Sequence, residues 1–166
     1  SPATTYDPDY PNASTDDGSD NVGTPPRMAH EMNRELEGNI YKRILISFHS
    51  NAGGGRGVVG LWNDNAMFPG TATPNQFRLA QLTGTEVNND LVGIGVPPLE
   101  LAWVNRGANI TFAHPDYAFG EIHNGSLGGE MDATIIEVAF HDDANDASLL
   151  RDPKARNWIA RASYQA

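Results

Sequence analysis

The stretch Ile44-Leu45-Ile46-Ser47-Phe48-His49-Ser50-Asn51-Ala52 decides the fold. Its apolar residues run almost unbroken, where a strand with one wet face would alternate. Such a run is covered on both faces, as strands are in a parallel sheet with helices on each side. Ala133-Thr134-Ile135-Ile136-Glu137-Val138-Ala139-Phe140-His141 reads the same way. Strands are therefore predicted at Arg43 to His49 and Ala133 to Phe140, with a shorter one at Val58 to Trp62. Elsewhere the pattern is helical. Thr24-Pro25-Pro26 offers a hydroxyl cap and first-turn prolines, and Met28, Met32 and Leu36 carry a helix to about Glu37. Asn75 to about Leu91 holds Phe77, Leu79, Leu82, Val87 and Leu91 at helical spacing, weakened by Gly84. Asp146 to Gln165 reads as a single helix with Leu149, Leu150, Trp158, Ile159 and Ala162 inward. Residues 93–132 read as short strands in loop-rich sequence. The expectation is an α/β fold: a mostly parallel sheet flanked by helices on both faces, with long loop-rich insertions.

The chain has 166 residues, room for one domain with a true core. Residues 1–26, rich in Pro, Asp, Asn, Ser and Gly, are expected to form a loop or extended arm. Residues 27–166 are expected to form the α/β domain. Asp16, Asp17 and Asp20 lack the glycine and closing glutamate of a calcium loop and read as a solvated acidic turn. The net charge of −10 repels phosphate backbones and anionic lipids, so neither nucleic acid nor membrane insertion is expected. The apolar runs are too short to cross a bilayer. With no cysteine, disulfides, thiolate metal sites and a thiol nucleophile are excluded.

Two polar residues stand out against this apolar background. His49 falls at the C-terminal end of a buried strand, the edge where open α/β sheets bind ligands. Glu137 lies within an apolar strand, where a carboxylate needs a partner, a metal or a raised pKa. Each alone has an ordinary structural explanation: a hydrogen-bonded strand-end histidine, or an edge carboxylate facing water. Together, a zinc-binding histidine and a glutamate acting on the metal's water are the core of a metal-assisted hydrolase.

The order of these motifs resembles the zinc-dependent N-acetylmuramoyl-L-alanine amidases of the α/β branch. Ser47-Phe48-His49-Ser50-Asn51-Ala52 matches that family's zinc-histidine strand end. Gly57-Val58-Val59-Gly60-Leu61-Trp62 matches its following glycine-led strand. Ile135-Ile136-Glu137-Val138-Ala139-Phe140 matches the strand with the catalytic glutamate. The acidic turn Asp142 to Asp146, the pair Leu149-Leu150, Arg151-Asp152-Pro153 and the last helix follow in the family's order. The resemblance covers about residues 27–166. It implies a peptidoglycan amidase that cleaves between N-acetylmuramic acid and L-alanine. It makes His49 a zinc ligand and Glu137 the general base and acid. The implied location is secreted, in the cell wall or the periplasm, with peptidoglycan or a muropeptide as partner.

The family's opening Asp-Pro-Gly-His-Gly strand, and the glutamate ligand on the next helix, have no counterpart in the sequence. The first part of the family domain is therefore expected to be missing and the remaining zinc ligands to lie outside this chain, on what could be a separate chain. His30 and Glu31 read as a solvent-facing pair on the first helix. His114, His123 and His141 each lie near a carboxylate and read as turn histidines, with His141 close enough in sequence to line the Glu137 cleft. Glu121 and Glu130 are secondary carboxylate candidates. The competing function is a non-catalytic extracellular module that keeps the fold and binds glycan or peptide. Another metallohydrolase, such as a carboxypeptidase or deacetylase, ranks lower because no His-x-x-Glu or His-x-x-x-His is present.

Overall fold

The computed structural model describes residues 17–32 and 42–166, with side chains from Val22 onward. In chain order the elements are α1 (Asp17–Met32), β1 (Ile44–Asn51), β2 (Val59–Leu61), α2 (Gln76–Ile94), β3 (Thr111–Phe112), a short 3-10 turn (Gly120–Ile122), β4 (Asp132–Phe140), α3 (Ala144–Arg151) and α4 (Pro153–Gln165). Four strands form one open sheet in the order β1-β4-β2-β3. β2 runs parallel to β3, with Gly60 opposite Thr111, and antiparallel to β4, with Val59 opposite Glu137 and Leu61 opposite Ile135. The sheet is mostly parallel and flanked by helices, as the sequence predicts.

The chain divides into two compact units. The first holds the chain up to Leu45 together with Asn63–Gln76 and Ala113–Ala133; the second holds Ile46–Trp62, Phe77–Phe112 and Thr134–Ala166. The stretch 27–166, expected as one domain, is shared between them.

The second unit carries the apolar core. Val58 of the loop, Ile136, Val138 and Ala139 of β4, Val87 and Leu91 of α2, Leu149 of α3, and Ala155, Ile159 and Ala162 of α4 form one buried cluster. Removing a Leu or Val side chain from water is worth about 1.5–3 kcal/mol. Ala80, Gly84, Val87, Asn88 and Leu91 are the buried face of α2, spaced at three and four residues. Gly84, which weakens the helical pattern, has a packing reason. A Cβ there would overlap the Ile110 side chain, and a Cβ on Gly60 would overlap the Ala80 carbonyl. These two glycines let the helix lie close against the sheet.

The first unit is knitted by buried polar side chains. Asn63 Oδ1 accepts from the Phe119 N–H at 2.7 Å, and Asn63 Nδ2 donates to the Phe119 carbonyl at 3.1 Å. Gln76 Oε1 accepts from the Asn63 N–H at 2.8 Å while its Nε2 donates to the Ile122 carbonyl at 2.7 Å. Asp132 accepts from both the backbone and the side chain of Asn75, at 2.7 and 2.9 Å. In a loop-rich unit these amides replace the ladder hydrogen bonds that a sheet would supply.

Two boundaries differ from expectation. Residues 17–26, assigned from sequence to the loop or arm, are helical from Asp17, with Pro25 and Pro26 inside α1. Pro26 is buried and α1 packs on the Gly120–Ile122 turn, so tertiary packing overrides the rule that confines proline to a first turn. Residues 1–16, and the expected end of that helix near Glu37, lie outside the described residues. The C-terminal helix is two helices, broken at Asp152. Asp152 caps α4 by accepting from the Lys154 N–H at 2.8 Å, and Pro153 at the first position cannot continue α3.

Candidate functional site

The site is built where β1 and β4 end. They are neighbours in the sheet, and their C-terminal ends meet: the His141 N–H donates to the Asn51 carbonyl at 2.9 Å. Both strands therefore run toward the same edge. His49 lies two residues back from that bond on β1, and Glu137 lies four residues back on β4. At about 3.3 Å per residue, these are about 7 and about 13 Å below the edge. His49 is exposed, and no residue of β1 is buried: the strand lies at the edge of the sheet, where the expected covering on both faces is not met. Glu137 is half-buried, opposite Val59, with its Oε2 buried.

The edge is fastened by the acidic turn that follows β4. Asp142 Oδ2 accepts from the N–H groups of Gly53 and Gly54 at 2.7 and 3.0 Å. Both glycines have positive φ, 114° and 78°, so only residues without a Cβ turn two successive amides toward one oxygen without strain. The Gly53 N–H and then the Gly54 N–H hold the Asp142 carboxyl below its ordinary value. Asp143 caps α3, accepting from the N–H groups of Asn145 and Asp146 at 3.0 Å each.

Asp146 is buried at 1% exposure, and its carboxylate is fully employed. Oδ2 accepts from the Gly57 N–H at 2.7 Å and the Phe140 N–H at 3.1 Å; Oδ1 accepts from Arg56 Nε at 2.9 Å. One side chain thus ties the loop after β1 to the last residue of β4. Arg56 also lies 3.1 Å from Asp143 Oδ1. Arg106 donates to the Arg56 carbonyl at 2.8 Å and lies over the Phe140 ring. Burial pulls the Arg106 guanidinium below its ordinary value, while Asp146 pulls the other way.

His141 lies across the same edge. Its Nδ1 is 3.1 Å from Ser50 Oγ and 3.2 Å from the Ser50 carbonyl, so its tautomer decides whether it accepts from the hydroxyl or donates to the carbonyl. His114 and His123 are turn histidines as expected: their Nδ1 atoms accept from the N–H of Asp116 at 3.1 Å and of Gly125 at 2.9 Å. Glu121 is buried in the 3-10 turn. His30 lies 3.3 Å from Glu130, a pairing that the 100 positions between them obscure in the sequence.

Among the described residues, no group of three or more His, Asp or Glu side chains is placed to hold a metal ion. His49 is a single donor, where a zinc hydrolase uses three protein ligands and a water. The described residues therefore do not by themselves fit a zinc site. The residues the sequence undervalued are Asp142 and Asp146. Their mark is an acidic turn paired at a distance with a glycine-rich segment, Gly53-Gly54-Gly55-Arg56-Gly57.

No model of a known protein family and no curated protein matches the sequence. Solved structures do resemble it. The crystal structure of N-acetylmuramoyl-L-alanine amidase from Clostridium difficile 630 superposes with a TM-score of 0.57 at 16% identity, covering 87% of this chain and 61% of that one. The N-acetylmuramyl-L-alanine amidase Ami1 from Mycobacterium smegmatis gives 0.56 at 16% identity, covering 86% of this chain and 56% of that one. The apo form of Ami1 from Mycobacterium abscessus gives 0.53 at 16% identity, covering 84% and 58%. The chain spans 56–61% of the length of these structures and shares their fold.

Proposed function

We propose that this chain carries part of a peptidoglycan amidase that hydrolyses the amide between N-acetylmuramic acid and L-alanine. Glu137 is its general base and acid. The observation that carries the reading is the meeting of β1 and β4 at one sheet edge, which puts His49 and the half-buried Glu137 on adjacent strands of a fold shared with solved amidases.

In this reading Glu137 takes a proton from the attacking water. The water oxygen bonds to the lactyl carbonyl carbon, the C–N bond breaks, and Glu137 returns the proton to the departing alanine nitrogen. His49 is assigned as one zinc ligand, and the remaining ligands are expected outside the described residues. Peptidoglycan or a muropeptide is the substrate and the cell wall, periplasm or exterior the location. The net charge of −10 keeps nucleic acid out of the reading, and no described helix is long and apolar enough to cross a membrane.

A second reading is a non-catalytic glycan- or peptide-binding module with the same fold, favoured by the absence of a metal-ligand cluster among the described residues. Muropeptide digestion followed by mass spectrometry separates the two, run on the complete, zinc-supplemented protein. The amidase reading expects free stem peptides beginning with L-alanine. Intact muropeptide, retained on the protein but not cut, favours the binding module.

A further inference from the structure

We propose that the first unit contains a second ligand site, a donor-lined hollow that takes a monoanionic carboxylate carried on a small molecule or short peptide. The hollow has a volume of about 490 Å³ and is lined by Arg27 and His30 of α1 and by Gly120, His123, Gly125, Ser126 and Gly128 of the loop before β4. It is independent of the hydrolase reading, since none of its residues belongs to the His49–Glu137 edge.

The donors carry the argument. His123 Nδ1 accepts from the Gly125 N–H at 2.9 Å, which puts the hydrogen of the neutral ring on Nε2. Among the described residues, the Arg27 guanidinium, His123 Nε2 and Ser126 Oγ have no hydrogen-bond or ion-pair partner. Arg27, His123 and Ser126 line one hollow, and the guanidinium, imidazole N–H and hydroxyl they carry form a set complementary to an oxyanion. The Arg27 charge at this hollow belongs to a chain with a net charge of −10.

Charge selects the ligand. His30 Nδ1 lies 3.3 Å from Glu130 Oε2, so His30 already has a carboxylate as its partner. That leaves Arg27 as the uncompensated charge, enough for a monoanion. Glu130, 3.3 Å from the lining residue His30, adds a negative charge that opposes a doubly charged phosphate. Gly128 shapes the wall. It has a φ of +63°, and a Cβ there would overlap the His30 ring. The volume exceeds that of one carboxylate and leaves room for the molecule that carries it.

The test is NMR titration of the protein, with nitrogen-labelled histidine and backbone amides, using N-acetyl-alanyl-alanine as probe. The same peptide as its C-terminal amide and inorganic phosphate serve as the other arms. A single Arg-centred carboxylate contact on an open surface is expected to bind in the millimolar range. Expected are saturable shifts at His123 Nε2 and the Ser126 amide with the free acid, none with the amide, and weaker binding of phosphate. Arg27→Gln is expected to weaken the free acid about tenfold with the rest of the spectrum unchanged. Equal binding of the amide peptide, tighter binding of phosphate, an unaffected Arg27→Gln variant, or no saturable shift at His123 would each overturn the proposal.

Discussion

Asp146 Oδ2 lies 2.7 Å from the Gly57 amide, and this buried bond is the fastening between the β1 loop and the end of β4. The same oxygen takes the Phe140 N–H, and Arg56 neutralises the carboxylate through Oδ1. Asp146→Ala leaves the buried Gly57 and Phe140 amides without their acceptor and leaves Arg56 with Asp143 alone. It is expected to destabilise the protein by about 3 kcal/mol, whereas exposed Asn157→Ala on α4 stays within about 0.5 kcal/mol. Urea unfolding followed by circular dichroism checks both. Equal stability of the two variants would refute the fastening.

Asp142 gives the edge a dependence on acid. Its carboxyl is held below the ordinary aspartate value in the folded chain, so its contribution is complete above that value and is lost as pH falls through the lower folded-state pKa. The stability gap between the parent and Asp142→Asn is therefore expected to be widest near neutrality and to narrow below about pH 4. Urea midpoints measured across that range check the trend. A gap that stays constant removes Asp142 from the acid response.

Two glycines of the second unit should respond to alanine with opposite signs. Gly60→Ala drives a methyl into the Ala80 carbonyl and is expected to cost about 1–3 kcal/mol. Gly93 lies in α2 with open space around its Cβ position, so Gly93→Ala is expected to stabilise by about 0.5–1 kcal/mol. Thermal unfolding of the two variants is the check. The same sign in both would contradict the packing of α2 on β2.

His49 is exposed on its strand, so His49→Ala is expected to shift stability by no more than about 0.5 kcal/mol. In the complete protein it is expected to lower zinc affinity sharply, because one of three protein ligands is gone. Unfolding midpoint and zinc content after dialysis, measured together, distinguish a ligand from a bystander: full zinc retention would remove His49 from the metal site.

Strands β1 and β4 were both readable from continuous apolar runs, but only β4 is buried along its length; β1 is an edge strand with Ile44 and Phe48 exposed, so its run marked a strand and not burial on both faces. Ile44–Asn51 and Asp132–Phe140 fall within a residue or two of their expected ends. The break at Asp152-Pro153 was written in the sequence as a cap followed by proline, but the apolar spacing of Leu149, Leu150, Trp158 and Ile159 continues through it and masks it. The early start of α1 was not readable, since its Pro25-Pro26 is tolerated through contacts made far along the chain. The same holds for the aspartate fastenings. Asp146 and Gly57 are 89 positions apart, and only the fold shows that a capping turn and a glycine loop share an oxygen.

The central claim is that Glu137 moves the proton in amide hydrolysis. Glu137→Gln keeps the size and hydrogen-bonding reach of the side chain but cannot take a proton from water. The direct measurement is muropeptide hydrolysis by the complete, zinc-loaded protein and its Glu137→Gln variant, with thermal unfolding recorded on the same samples. A loss of about a hundred- to ten-thousandfold in rate at nearly unchanged stability is the expected result. Hydrolysis at the parent rate, or a loss that only follows the folded fraction, would contradict it.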